Sequence, residues 1–129
     1  MNTDTCNIDE IKGLIPHRYP FLLIDKVIDI VKNQSATGIK NVTVNEPYFT
    51  GHFPSSPVVP GVLQIESMAQ TAAVLVAKSL NISDTTALVL LTTIDKAKFR
   101  KPVVPGDVML LSISVQKMRN NLWKFKGEV

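Results

Sequence analysis

The feature that most constrains this chain is a stretch of about five helical turns, residues 61–79, that carries almost no charge. Glu66 is the only charged side chain between His52 and Lys78, and most of the other side chains in the stretch are small or apolar. A helix that is apolar on nearly every side is buried all round in a folded domain. Its polar residues interrupt the ~20 apolar positions that a bilayer requires, so we expect no membrane span. The rest of the chain must therefore wrap this helix.

Alternating side chains predict the structure that does the wrapping. Residues 108–115 place apolar side chains at every second position and serines between them, as in a half-buried antiparallel strand. Further strands are predicted over residues 21–31, 37–44, 87–94 and 122–129. The first two form a hairpin, and Arg119-Asn120-Asn121 makes a hairpin turn before the last. The sequence predicts an α+β domain in which an antiparallel sheet curls around one long central helix.

The remaining segments are short or irregular. Residues 8–14 form one or two helical turns that stop at Ile15-Pro16, because the residue before a proline is disfavoured in the helical region. Residues 47–60 hold four prolines with Gly51 and His52, and this predicts a shaped loop. Residues 1–10 are interpreted as a polar N-terminal tail. With 129 residues in all, we expect one domain.

Composition excludes several classes of function. The chain is 45% hydrophobic and 19% charged, which excludes a disordered protein. Its 14 basic and 11 acidic residues leave a net charge of +3, too mild to predict a nucleic-acid partner. A single cysteine, Cys6, and no apolar signal segment favour a reducing cytoplasm. Two histidines and one cysteine are too few for zinc, and the glycines form neither GxGxxG nor a P-loop, so we expect no metal and no nucleotide cofactor.

Three residues around the start of the long helix suggest acid–base chemistry. An ionised Glu66 without partners would cost several kcal/mol, so either Gln70, one turn on, satisfies it or it is a carboxyl group ready to exchange a proton. His52 is either a loop histidine bonded to backbone or a general base. Gly61 begins the helix, where backbone N–H groups lack partners. A base, an acid and free N–H donors are typical of proton abstraction beside a carbonyl.

Three ordered blocks carry a family resemblance. They are GHFPSSPVVPGVLQIESMAQ at 51–70, LIPHRYPFLLID at 14–25 and IDKAKFRKPVVPGD at 94–107. The chain resembles the 3-hydroxyacyl-[acyl-carrier-protein] dehydratases of bacterial type II fatty acid synthesis over about residues 11–129. The resemblance implies a hot-dog fold and dehydration of (3R)-3-hydroxyacyl thioesters to trans-2-enoyl thioesters, without a metal or organic cofactor.

The resemblance also implies roles for individual residues. His52 is the expected histidine acting at C2 and C3, Glu66 the catalytic carboxylate, and Gly61 the glycine whose N–H binds the thioester carbonyl. Val62 and Gln70 are expected to bind substrate as well. His17 lies in a family block but is interpreted as structural, packing the turn at residues 16–20. A glutamate rather than an aspartate at position 66 favours simple dehydration over dehydration with isomerisation.

Partners follow from the same resemblance. The basic residues Lys96, Lys98, Arg100 and Lys101 are either a solvated strand end or, as the resemblance favours, a docking site for acidic acyl carrier protein. The family places its site between two subunits, with histidine from one chain and glutamate from the other. We therefore expect a homodimer, assembled further into a hexamer as a trimer of dimers.

Two departures from the family pattern and three rival functions accompany this prediction. Ser55 stands where glycine is usual, and the chain stops before the family's last strand, in the middle of a predicted one. A hot-dog acyl thioesterase would release free thiol, a bifunctional dehydratase/isomerase would yield the cis-3 product, and a non-catalytic carrier-binding module would bind without turnover.

Overall fold

A computed structural model describes residues 3–82 and 89–129 and gives the α+β architecture that the sequence predicts. Five strands form one sheet in the order β1-β2-β3-β4-β5, each antiparallel to its neighbours. The strands are β1 Asp4–Cys6, β2 Lys26–Val31, β3 Ser35–Asn41, β4 Val108–Arg119 and β5 Leu122–Glu128. Two α-helices, α1 Ile8–Leu14 and α2 Gly61–Ser79, complete the described part of the chain.

The N-terminal segment is part of the folded domain, so its interpretation as a polar tail is wrong. Strand β1 pairs with β2, and the Cys6 side chain is completely buried. Asn7 then caps α1, because its side chain accepts the backbone N–H of Glu10 while the Glu10 carboxylate accepts that of Asn7. This reciprocal capping box is readable from an Asn followed three residues later by a Glu, and it is the signal that sequence reasoning passed over.

The first predicted hairpin is present with different limits. Strand β2 begins at Lys26 rather than at residue 21, because the preceding loop is bonded to the central helix instead of to a strand. In that loop the backbone N–H of Leu23 donates to Gln70 Oε1 at 2.8 Å, and Gln70 Nε2 donates to the Phe21 carbonyl at 2.7 Å. Strand β3 ends at Asn41, and the next N–H, of Val42, donates to the Asp107 carbonyl.

Helix α2 covers the residues that the sequence predicts, 61–79, and packs on β2, β3 and β4. Burial all round is confirmed for its C-terminal half, where residues 70–77 are all buried. It is wrong for the first two turns, since Val62 is 72% exposed. The sheet approaches the helix most closely at Gly38, where a Cβ would overlap the Thr71 hydroxyl. Among the described residues, we find no helix whose length and apolar character would let it cross a membrane.

The last two predicted strands form a hairpin, with β4 extending to Arg119 and Asn120 in the turn at a φ of 52°. The strand predicted at residues 87–94 is not borne out. Positions 87 and 88 lie outside the described residues, and 89–94 form no strand. A strand needs a neighbour to complete its hydrogen-bond ladder, and within the described residues no strand pairs with this segment. Strand β1 instead supplies the fifth member of the sheet.

Candidate active site

His52 is held by backbone on both sides of its loop. A short 3-10 turn, Pro47–Thr50, precedes it, and the His52 N–H donates to the Tyr48 carbonyl at 3.0 Å. Its ring atom Nδ1 lies 2.7 Å from the Val58 carbonyl oxygen. A carbonyl only accepts hydrogen bonds, so Nδ1 carries the proton and, in the neutral ring, Nε2 carries the lone pair. The loop therefore holds the tautomer that a base acting through Nε2 needs.

A buried charge cluster anchors the same loop to the sheet. The Lys40 side chain is 8% exposed, and its Nζ lies 2.9 Å from Glu46 Oε2 and 4.0 Å from Asp25 Oδ2. Burial, aided by the nearby Glu46 carboxylate, raises the pKa of Tyr48 well above its ordinary value of 10.0. Because Tyr48 also supplies the carbonyl that receives the His52 N–H, these contacts link strand β3 to the position of His52.

Glu66 lies on α2 with one carboxylate oxygen occupied and the other free. Gln70 Nε2 donates to Glu66 Oε2 at 2.9 Å, and His17 Nε2 lies 3.6 Å from the same oxygen. Within the described residues Oε1 has no hydrogen-bond partner, and the side chain keeps 20% of its exposure. Of the two interpretations of Glu66, hydrogen bonding by Gln70 thus accounts for one carboxylate oxygen only. The second oxygen is available to a substrate.

The side-chain amide of Gln70 hydrogen-bonds to other groups of the protein. The residue is 1% exposed, and its two N–H groups donate to Glu66 and to the Phe21 carbonyl while its oxygen accepts from Leu23. Both donors are thus engaged, and the side chain holds the carboxylate and the loop at residues 21–23 in fixed relation. This arrangement favours a positioning role for Gln70 over the substrate contact that the sequence predicts.

His17 lies against Glu66, and sequence reasoning missed this contact. Its turn is held by Arg18, which donates to the carbonyls of Lys12 and Ile15 at 2.8 and 2.9 Å. The ring atom Nδ1 is buried and has no hydrogen-bond partner within the described residues. The two segments are far apart in the chain, so no local pattern gives their contact. A histidine and a glutamate in separate family blocks were the only available signal.

The N-terminus of α2 presents two free donors. Leu63 and Gln64 donate their N–H groups to the Pro60 carbonyl, whereas those of Gly61 and Val62 have no acceptor within the described residues. The ring of Phe99 lies over Gly61, where an added Cβ would stand 2.9 Å from its nearest carbon. A side chain at position 61 would therefore require the Phe99 ring to move.

Four basic residues are predicted to dock a carrier protein, and all of them lie in the exposed segment 96–101 on either side of Phe99. They are Lys96, Lys98, Arg100 and Lys101. The segment returns to the fold at Val103, whose carbonyl accepts the Val59 N–H at 2.8 Å just before α2. Arg100 and Lys101 are therefore close in sequence to the ring that covers the helix N-terminus.

An apolar cavity adjoins the Glu66 side of the site, and it is lined in part by Leu14, Ile15, His17, Ala73, Val76 and Val89. His17 thus touches both this cavity and the carboxylate. His52 and Glu66, by contrast, share no hydrogen bond or ion pair among the described residues. One chain therefore brings Glu66, Gln70 and His17 into contact with one another.

Comparison with known proteins agrees with this fold. A family model described as the FabA-like domain matches residues 15–129. A relative from Rickettsia bellii, named 3-hydroxyacyl-[acyl-carrier-protein] dehydratase FabZ, is 59% identical over 125 residues, 97% of this chain and 86% of the relative. Proteins of the same name from Rhodospirillum rubrum and Paramagnetospirillum magneticum are 54% and 56% identical, each over 95% of this chain and covering 77% and 76% of their own lengths.

A sheet packed on a central helix, with the family-model match, defines a FabA-like hot-dog domain. Within that class the chain belongs to the 3-hydroxyacyl-[acyl-carrier-protein] dehydratase family, a family of hydro-lyases.

Proposed function

We propose that this protein dehydrates (3R)-3-hydroxyacyl groups carried on acyl carrier protein to trans-2-enoyl groups, as a step of fatty acid biosynthesis. The observation that carries the proposal is a pair of atoms without hydrogen-bond partners among residues 3–82 and 89–129. Nε2 of His52 and Oε1 of Glu66 are each left free there, while the other polar atom of each side chain is hydrogen-bonded. The names of the relatives support the same substrate class.

In the proposed mechanism neutral His52 removes a proton from C2 of the substrate through Nε2. The electron pair forms the C2–C3 double bond as the C3–oxygen bond breaks. Because Gln70 donates to Oε2 of Glu66, a proton on this carboxyl group would reside on Oε1, where it can join the departing hydroxide and form water. Glu66 acts directly or through a bound water, and return of the proton from His52 to the carboxylate restores the starting state.

The thioester carbonyl is proposed to lie at the N-terminus of α2. Negative charge develops on the carbonyl oxygen when the C2 proton leaves, and the free N–H groups of Gly61 and Val62 would stabilise it.

We further propose that the working enzyme is a homodimer, assembled into a hexamer, with His52 and Glu66 of one site contributed by different chains. The lack of a contact between the two side chains in one chain supports this arrangement. So does the apolar surface at residues 89–94, where Leu90 and Ile94 are 74% and 53% exposed. Light scattering that found an active monomer would contradict it.

The decisive experiment follows the hydration of a crotonyl thioester by loss of enoyl absorbance. Wild type is compared with His52→Ala and Glu66→Gln, and circular dichroism verifies that each variant is folded. Each substitution should lower turnover by at least ~10²-fold, as removal of an acid–base group does. Folded His52→Ala with wild-type turnover would overturn the assignment. Release of free thiol would identify a thioesterase, and a cis-3 product would identify an isomerising enzyme.

Docking of acyl carrier protein is tested separately by reversing charge. Arg100→Glu with Lys101→Glu should raise KM for carrier-bound substrate and leave short thioester analogues nearly unchanged, since surface charge mainly steers encounter. Lys124→Glu with Lys126→Glu is a matched control, because these exposed lysines of β5 change the net charge equally. Equal effects of the two pairs, or equal effects on both substrates, would refute docking at Arg100 and Lys101.

A further inference from the structure

The side-chain environment of Glu66 contains one group that the proposed mechanism does not use. His17 Nε2 lies 3.6 Å from Glu66 Oε2, and both side chains are 20% exposed. The distance is about 0.6 Å longer than an N–H···O hydrogen bond, so the two groups are in contact without being fully bonded. A carboxylate oxygen only accepts, so the nitrogen that faces it is suited to carry a proton.

The other nitrogen of His17 indicates which form of the ring fits the site. Nδ1 is buried and unpartnered within the described residues. A doubly protonated ring would place a positively charged N–H without an acceptor at the buried Nδ1. The neutral ring with its proton on Nε2 leaves an uncharged acceptor there instead and directs an N–H at Glu66.

We propose that His17 is a positioning residue for Glu66. Together with Gln70, His17 lies against Oε2 of the carboxyl group and so leaves Oε1 as the oxygen that meets the substrate. The hydrogen bond from Gln70 and the contact of His17 on the same oxygen restrict the rotation of the carboxyl group more than the hydrogen bond alone would. Gln70 approaches from one turn along the helix and His17 from the turn after α1, so the two groups belong to different elements. This inference rests on the proposed function, because it assigns His17 a role through Glu66.

Two amide substitutions distinguish this role from simple packing. In His17→Gln the amide nitrogen lies near the place of Nε2 and can still donate to Glu66. In His17→Asn the amide reaches only to the place of Nδ1, although its polarity is the same. The proposal predicts that His17→Asn lowers kcat for crotonyl thioester hydration about 10-fold or more with KM changed less than about threefold, and that His17→Gln restores most of the loss.

A double-mutant comparison tests whether the effect passes through Glu66. Once Glu66→Gln has removed the carboxylate, adding His17→Asn should lower kcat little further, because residues that act as a unit are not additive. Thermal midpoints and circular dichroism of all variants identify any loss caused by unfolding. If His17→Asn does not fold, His17→Ala, which also lacks a donor, takes its place in the comparison with His17→Gln and in the same cycle.

The possible failures are distinguishable. Wild-type turnover in Glu66→Gln would overturn the proposed function itself. A large loss in Glu66→Gln with no loss in folded His17→Asn would overturn only the role of His17. The role of His17 is also overturned if the Asn and Gln variants lose the same activity, or if the effects in the double-mutant cycle are additive. A rise in KM at unchanged kcat would overturn it too, because that result would make His17 a substrate contact.

Discussion

At the scale of the residue, each polar side chain of the candidate site has one atom bonded to the protein and another left for the proposed substrate. His52 commits Nδ1 to the Val58 carbonyl, and Glu66 commits Oε2 to Gln70. Each commitment fixes an orientation and leaves one reactive atom. Gly61 follows the same principle at backbone level, because the absence of a Cβ keeps its N–H accessible beneath the ring of Phe99.

A substitution at Gly61 tests that close approach. In Gly61→Ala the new Cβ would lie 2.9–3.1 Å from three carbons of Phe99, so the ring must move. Phe99 is 55% exposed and can move at little cost, so we expect a folded protein with a thermal midpoint within a few degrees of wild type and a kcat/KM lowered about 10-fold or more. Steady-state kinetics on the crotonyl thioester give the result.

The cause of that loss can be separated by a second substitution. If displacement of the ring is responsible, Gly61→Ala should have little further effect in a Phe99→Ala background. If the methyl group itself blocks the N–H donors, the loss should persist in that background. Unchanged kcat/KM in Gly61→Ala would show that neither the ring nor the donors matter.

At the scale of the element, the close approach of α2 to β3 depends on a glycine. Gly38 on β3 faces Thr71, whose hydroxyl also donates to the Ser67 carbonyl at 3.0 Å. A side chain at position 38 would hold the helix away from the strand. Because α2 carries both Glu66 and the N–H groups at its start, the depth at which it packs also determines where those groups lie.

Gly38→Ala should therefore destabilise the domain by about 1–3 kcal/mol, because it inserts a methyl group into a filled contact. Denaturant unfolding measures the change. Gly13→Ala in α1 is a matched control, since a Cβ there meets nothing within 4 Å, and it should be neutral or stabilising by up to about 1 kcal/mol. The prediction fails if both substitutions have the same effect on the midpoint.

At the scale of the whole molecule, two buried weak acids, the Cys6 thiol and the Tyr48 phenol, should make the protein less stable as the pH becomes alkaline. Burial raises the pKa of Cys6 above its ordinary value of 9.0 and that of Tyr48 above 10.0. Both groups are neutral in the folded protein at pH values where they ionise in the unfolded chain. Their contribution to the free energy of unfolding is fully present below their ordinary pKa values. It is lost as the pH rises through their pKa values in the folded protein.

The free energy of unfolding should consequently fall as the pH is raised from about 8 to about 10.5, in denaturant titrations at fixed ionic strength. Tyr48→Phe removes one titrating group and should flatten the decline while leaving the ring in place. A Tyr48→Phe profile parallel to wild type would contradict the account.

Asp4 has the opposite effect, at acid pH. The hydrogen bond from Lys78 lowers the pKa of Asp4 below 3.8, so the contribution of Asp4 to stability is present above that value and is lost as the pH falls through the lowered pKa.

The sequence by itself determined the features that depend on neighbours along the chain. The uncharged stretch gave α2 with its observed bounds, alternation gave β4 and β5, and three ordered blocks gave the family. Gln70 could be proposed as a partner of Glu66 because one helical turn separates them. These features follow from periodicity, capping and spacing, which act within a few residues.

Only the tertiary structure decided which distant segments meet. It placed β1 beside β2, kept residues 89–94 out of the sheet within the described residues, and brought His17 to Glu66. It also showed that Lys40, buried on β3, anchors the loop that carries His52. Such contacts arise when the whole chain fills one core and satisfies its buried polar groups together, and no local pattern encodes which partners that joint solution selects.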